Sequence, residues 1–291
     1  MRNKIIKKIS LGTVQFGINY GINKKKINFK EIKKIIDYSN KIKIKKIDTA
    51  IAYGKSEKIL GSFSLKNCRI TTKIPAYRVS YGDPEKWTKD QINSSLNSLR
   101  VKRLHGVLFH NTNDLFNSNG KKIYKTLLNL KKKGFIKKIG ISIYDFEKLN
   151  KILKLFKIDI VQAPFNIIDR RLLKSSLINL HKKNKIELQV RSIFLQGLLL
   201  KELKYKNLKF SRYSKIWSAL HSWLDKNKYD LIDVCINDSL RHNFDTIIVG
   251  FENLIHLKRI INYKKINNLR LPIKFSSSKN SLINPNKWNQ P

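Results

Sequence analysis

Asp48, Tyr53, Lys73 and His110 bring a carboxylate, a phenol, an ammonium and an imidazole, each just past a short apolar run. The stretches that carry them are Ile47-Asp48-Thr49-Ala50-Ile51-Ala52-Tyr53-Gly54, Thr71-Thr72-Lys73 and Leu108-Phe109-His110-Asn111. The chain opens on a fourth, Leu11-Gly12-Thr13-Val14-Gln15-Phe16-Gly17. Gathered at one place, these groups are suited to handing a proton to a carbonyl oxygen while a hydride arrives from a cofactor. Singly, each has an ordinary role. Asp48 suits a turn or helix cap, Tyr53 a packed ring with its hydroxyl in water, Lys73 is one of many lysines, and His110 suits a turn. Their succession at consecutive strand ends is what joins them into one cluster.

The elements that must position them alternate regularly. Strands are expected at 8–11, 46–49, 69–73, 106–109, 139–142, 160–163, 187–191 and 246–249. Each is short and continuously apolar or β-branched, as a parallel strand buried on both faces requires. Helical spacing fills 29–39, 89–99, 121–133, 146–156, 172–183 and 254–261. Eight such units close into a single α/β domain, a (β/α)8 TIM barrel. The competitor is an open doubly wound sheet, which would bind a dinucleotide through Gly-x-Gly-x-x-Gly after its first strand. No such triplet occurs in the chain. The barrel is assigned to residues 1–274 and a Ser- and Asn-rich tail to 275–291, either folded over a rim or frayed. Two long loops are expected to build the pocket: 76–87, with Tyr77, Tyr81 and Trp87, and 199–213.

Composition narrows the partners. The 291 residues are 41% hydrophobic and 10% aromatic, a globular mixture. No apolar stretch reaches the ~20 residues of a membrane span, and the basic start of the chain lacks a long apolar core. A cytoplasmic, unprocessed protein with no membrane partner is expected. Cys68 and Cys235 lack metal or redox spacing, and the histidines outside the cluster show no ligand spacing, so no metal is implied. The net charge of +41 raises the possibility of a polyanion binder. Lysine is spread over nearly every helix, however, and Ile, Asn and Lys are abundant together while Ala, Gly and Arg are scarce. That joint skew fits an AT-rich genome better than a nucleic-acid groove, where arginine and stacking aromatics gather. No specific nucleic-acid partner is expected.

The ordered set of motifs resembles the aldo-keto reductases. It runs from about residue 9 to about residue 263 through Ile47-Asp48-Thr49-Ala50, Tyr53-Gly54, Ser56-Glu57, Leu60-Gly61, Thr72-Lys73 and Leu108-Phe109-His110. It continues through Ile139-Gly140-Ile141-Ser142, Val161-Gln162-Ala163-Pro164-Phe165-Asn166 and Val249-Gly250. The resemblance implies a (β/α)8 barrel holding NADPH, less often NADH, at the strand C-terminal ends. It makes Tyr53 the general acid, Lys73 the cation that lowers the phenol pKa, Asp48 the anchor of Lys73, and His110 the group orienting the substrate oxygen. It places Ser142 and Gln162 on the nicotinamide carboxamide. Arg191 falls where many members stack a tyrosine on the nicotinamide ring, as a stacking group or a partner for a substrate anion. Phe194-Leu195-Gln196-Gly197 would curl around the pyrophosphate. Thr13 and Gly250 are expected beside the cofactor, Phe16 and Trp87 beside the substrate.

The last cofactor segment departs from the family pattern. Members that grip a 2′-phosphate place basic and hydroxyl residues after the position of Gly250, then an acidic–amide pair on the adenine. Here the run is Gly250-Phe251-Glu252-Asn253, then His256, with Arg259-Ile260 in place of the pair. Glu252 favours a free 2′-hydroxyl and Arg259 or Lys258 a phosphate, so the cofactor is NADPH on the family's habit with NADH possible. The expectation is an NAD(P)-dependent reductase of a small polar carbonyl compound. A sugar-derived substrate is suggested by Asn19-Tyr20-Gly21, Arg191-Ser192-Ile193 and Asn284-Pro285-Asn286-Lys287-Trp288, which look like a bacterial branch near surface-polysaccharide enzymes. The alternative is a redox-sensing barrel subunit with little turnover, and the expected assembly is a monomer or weak homo-oligomer.

Overall fold

The structure, a computed structural model, describes residues 2–288. Eight parallel strands close on themselves in chain order: β1 (Ile9–Gly12), β2 (Lys46–Asp48), β3 (Arg69–Ile74), β4 (Leu104–Phe109), β5 (Ile136–Ser142), β6 (Ile160–Pro164), β7 (Glu187–Arg191) and β8 (Thr246–Gly250). Closure is made by β1 against β8, with Ile9 opposite Ile247 and Gly12 opposite Gly250. This is a (β/α)8 TIM barrel, and each strand lies within three residues of its expected bounds.

The helices outside the barrel follow from amphipathic spacing and side-chain caps. In the helix Phe29–Lys41, Ile32, Ile35, Ile36 and Ser39 turn inward at three- and four-residue steps, and Asn28 accepts the Glu31 N–H at its start. Asp83 does the same for Pro84–Leu99, accepting from Lys86 N with Pro84 in the first turn. The helix expected at 172–183 is split into Arg171–Lys174 and Leu177–Lys183. At the break Ser175 Oγ donates to Leu172 O and Ser176 Oγ to Asn150 Oδ1, local hydroxyl bonds that compete with helix continuation.

The β7–β8 crossover is the longest. After the short helix Leu203–Lys209 it carries Ser214–Asn227 and Leu231–Arg241. Residues up to 288 pack against this crossover: Phe275 and Leu282 are fully buried, Phe275 meets Trp223 at 5.5 Å between centroids, and Ser281 Oγ lies 2.6 Å from Tyr213 Oη. Residues 289–291 of the expected tail lie outside the described residues. Both cysteines are free thiols, Cys235 buried and Cys68 half-buried. Among the described residues no helix is long and apolar enough to cross a membrane, and no group of His, Cys, Asp or Glu could hold a metal ion.

Candidate active site

Strand register brings the polar residues to a single mouth. Asp48 lies opposite Gly12 and Thr71, Lys73 sits two rungs further along β3 opposite Leu108, and Ser142, Gln162 and Gln189 share one level across β5, β6 and β7. The Tyr53 segment is then fixed by backbone bonds. Ile51 N–H donates to Lys73 O at 3.1 Å, Tyr53 N–H to Ala50 O at 3.0 Å, and Ser56 N–H to Tyr53 O at 3.1 Å. His110 N–H donates to Ile74 O at 3.2 Å, which ties the imidazole to the end of the lysine's strand.

Lys73 is 1% exposed. Its ammonium donates to both oxygens of Asp48 at 2.8 Å and to Thr49 O at 2.9 Å, so every proton of this buried cation has a partner. Tyr53 lies directly above, its ring centroid 5.2 Å from Lys73 Nζ and 6.1 Å from the His110 ring in an edge-to-face arrangement. Asp48, Tyr53, Lys73 and His110 thus converge.

The electrostatics differ from the simple expectation. Burial, then the Asp48 carboxylate, pushes the Tyr53 phenol well above its usual range. The Lys73 charge is matched by Asp48 at 2.8 Å, and burial lowers the lysine itself. The cation that opposes the rise at Tyr53 is Arg191. Its guanidinium stacks on Tyr144 at 3.8 Å, donates to Ile143 O at 2.9 Å and approaches Ser192 Oγ at 3.3 Å. Burial works against that charge, but the phenols of Tyr144, Tyr20 and Tyr53 more than offset it.

His110 stays open to the mouth, yet the surrounding protein, then Lys73 and Arg191, push it down to about 4. Its imidazole is therefore neutral at ordinary pH and donates through one N–H. Its share of stability is present above the ordinary histidine pKa and is lost as pH falls from there toward about 4. Reduction rates are expected to show no break from His110 between about pH 5.5 and 8. A proton NMR titration of its ring checks this, and a midpoint in the ordinary histidine range would contradict it.

A cavity of about 440 Å³ runs from Asp48, Tyr53 and Arg191 past Glu252 to His256, Arg259 and Ile260. Thr13, Phe194, Gln196 and Gly250 are among the residues that line it. Thr13 Oγ1 donates to Asp48 O at 2.9 Å and accepts from Ser56 Oγ. Ser192, Leu195, Gln196 and Gly197 all have positive φ, giving a curled loop of the kind that cups anions. Across it, Ile22 N–H donates to Gln196 O at 3.0 Å and Gln196 Nε2 to Tyr20 Oη at 2.7 Å. The β1 loop is thereby strapped onto the β7 loop over the groove.

Three expected site residues do something different. Phe16 is fully buried in the hydrophobic core, because the turn Val14–Gly17 directs it inward, and it does not line the cavity. Trp87 is 8% exposed in the first turn of its helix, stacked on Tyr81 with Tyr77 at its edge, and also lies off the cavity wall. Gln162 is fully buried and spends its amide N–H groups on Asp48 Oδ1 at 2.8 Å and Gln189 Oε1 at 3.2 Å. Its Oε1 has no partner. Gln162 does not itself line the cavity, but a carboxamide reaching this atom would supply a donor, and the curled loop and the groove are of a kind that would take a nicotinamide dinucleotide. Ser142, 8% exposed, is level with Gln162.

The sequence reading missed Tyr20, Tyr144 and Gln189 as members of the site, although Tyr20 belongs to a phrase already singled out. It also passed over Gly17. A Cβ there would stand 1.6 Å from Tyr53 O, so only glycine lets the β1 turn press against the Tyr53 loop, whose Gly54 has φ of +58°. Gly17→Ala is expected to destabilise the fold by about 1–3 kcal/mol and to lower turnover by shifting Tyr53. Thermal unfolding read beside kcat tests this, and unchanged kcat would refute it.

A barrel whose mouth gathers a phenol, an imidazole and a buried carboxylate–ammonium pair at the head of an elongated groove has the make-up of an oxidoreductase site. Family comparison makes the assignment specific: the Aldo/keto reductase family model matches residues 8–273, and the chain belongs to that family of NAD(P)-dependent oxidoreductases. No curated protein sequence matches the chain significantly. Among solved structures, it is similar to the aldo-keto reductase AKR11C1 from Bacillus halodurans in its holo form, with a TM-score of 0.72 and 19% identity over 90% of this chain and 88% of that one. It is also similar to the glycerol dehydrogenase AKR11B4 from Gluconobacter oxydans, with a TM-score of 0.64 and 17% identity over 89% of this chain and 86% of that one. At such identities these likenesses concern the fold.

Proposed function

We propose that this barrel reduces a small polar aldehyde or ketone to the alcohol, with Tyr53 as the proton donor. The observation that carries the reading is the bidentate Asp48–Lys73 pair beneath Tyr53, with a neutral His110 beside the phenol. A nicotinamide dinucleotide held along the groove by Thr13, Phe194, Gln196 and Gly250 would supply the hydride, and the protein's residues do the rest. His110 orients the substrate oxygen, and Tyr53, kept protonated by its surroundings, gives its proton to that oxygen as negative charge develops. Arg191, the cation that opposes the rise at Tyr53, stabilises the phenolate left behind, which water then reprotonates. Asp48 fixes Lys73, and Gln162 fixes Asp48.

The cavity wall is largely apolar, and Gln15, Tyr20, Arg191 and Ser192 on it supply the hydrogen-bonding groups that a hydroxylated substrate would use. The similarity to a glycerol dehydrogenase adds polyol-derived carbonyls to sugar-derived ones as first compounds to try. The test follows loss of reduced dinucleotide with glyceraldehyde, dihydroxyacetone, open-chain sugars and simple aldehydes. Tight dinucleotide binding without turnover across a broad panel would defeat the enzymatic reading and favour a sensing subunit.

A further inference from the structure

We infer that the groove selects NADH over NADPH, an inference that rests on the dinucleotide reading above. Hydride and proton must reach the same carbonyl, so the nicotinamide end lies at Tyr53. The cavity continues from there toward Glu252, His256, Arg259 and Ile260, and the adenosine half, with its 2′ substituent, belongs at that end.

The groups that would receive a 2′-phosphate there are already engaged. The helix Leu254–Ile261 begins at this point, and its first N–H groups are the natural anion donors. Yet Leu254 N–H donates to Glu31 Oε1 at 2.8 Å, and His256 N–H to Asn253 Oδ1 at 2.8 Å. These two N–H groups at the helix start are thus taken by the chain's own side chains. Arg259 faces the cavity but is clamped between two acids, Nη1 on Asp233 Oδ1 and Nη2 on Asp230 Oδ1, both at 2.7 Å. Its charge is neutralised and its fork is used. Lys258 lies over the Tyr38 ring, which is not part of the cavity wall.

What remains free is acidic. Glu252 lines the cavity, and Oε1 accepts from Asn23 Nδ2 at 2.6 Å. Oε2 takes no hydrogen bond from the described residues. A ribose 2′-hydroxyl donates to such an oxygen, whereas a phosphate dianion meets the Glu252 carboxylate while the guanidinium on the same wall, Arg259, is already held by Asp230 and Asp233. Lys201, across the groove with no carboxylate partner among the described residues, is left for the pyrophosphate that both dinucleotides share. His256 hydrogen-bonds hydroxyl and phosphate alike.

Parallel fluorescence titrations of the full chain with NADH and NADPH are expected to give a Kd for NADH at least about tenfold lower. Glu252→Gln keeps the size and an acceptor for Asn23, and it is expected to move the Kd ratio toward NADPH by about tenfold. Tighter binding of NADPH by the wild type, or a ratio that Glu252→Gln leaves unmoved, overturns the inference and spares the reductase reading. Failure of both dinucleotides to bind overturns both.

Discussion

Tyr53→Phe is expected to lower kcat/KM for carbonyl reduction by about 10³-fold while leaving dinucleotide affinity and thermal stability nearly unchanged. The magnitude is that of a positioned general acid. The sparing of stability follows because only a cavity-facing hydroxyl is lost, while the ring that meets Lys73 and His110 is retained. The phenol sits above its usual range through burial and Asp48, so reduction should hold its rate well into alkaline pH. Alcohol oxidation needs the phenolate and should climb about tenfold per pH unit through the neutral range. Arg191→Leu removes the cation that opposes the rise and should depress oxidation more than reduction. Stopped-flow rates in both directions decide the matter. A Tyr53→Phe enzyme within about threefold of wild type would end the role of Tyr53 as the acid.

The barrel was legible because strands buried on both faces carry continuous apolar runs, and a crossover helix must separate each parallel pair. The four polar residues were legible for a related reason. A charged or phenolic side chain at the end of such a run has little to do there except point into the mouth. What composition and spacing do not carry is partnership. Gln162 is legible only as a residue facing a cofactor, and its second duty, holding Asp48 from the level it shares with Gln189, appears only in the structure. Arg191 reads as a substitute stacking group until Tyr144 is seen 3.8 Å beneath it. Phe16 and Trp87 were misplaced because an aromatic beside a loop packs inward or outward according to the turn, and that turn is set by tertiary contacts. The helices Ser214–Asn227 and Leu231–Arg241 lay inside a crossover whose length hid them.

The engagement of Arg259 by Asp230 and Asp233 has a parallel at the buried Asp48–Lys73 pair, where removing one partner has the largest consequence for stability. Asp48→Ala leaves the Lys73 ammonium with only Thr49 O, and it takes from Gln162 the acceptor it shares with that lysine. Breaking a buried pair this way costs about 3–5 kcal/mol. Lys73 is already lowered by burial, and Asp48 is the group that raises it. In the variant the folded lysine loses its proton more readily than the unfolded one, so the unfolded state binds more protons over that interval and stability increases with pH. Urea unfolding of Asp48→Ala should therefore show its largest deficit at low pH and a smaller one as pH approaches the ordinary lysine range. Lys73→Met in the same background removes the stranded charge and keeps an apolar stem of similar length, so the double variant should be more stable than Asp48→Ala alone. Equal deficits at pH values near 6 and 9, with no recovery in the double variant, would mean that the pair contributes packing and not charge.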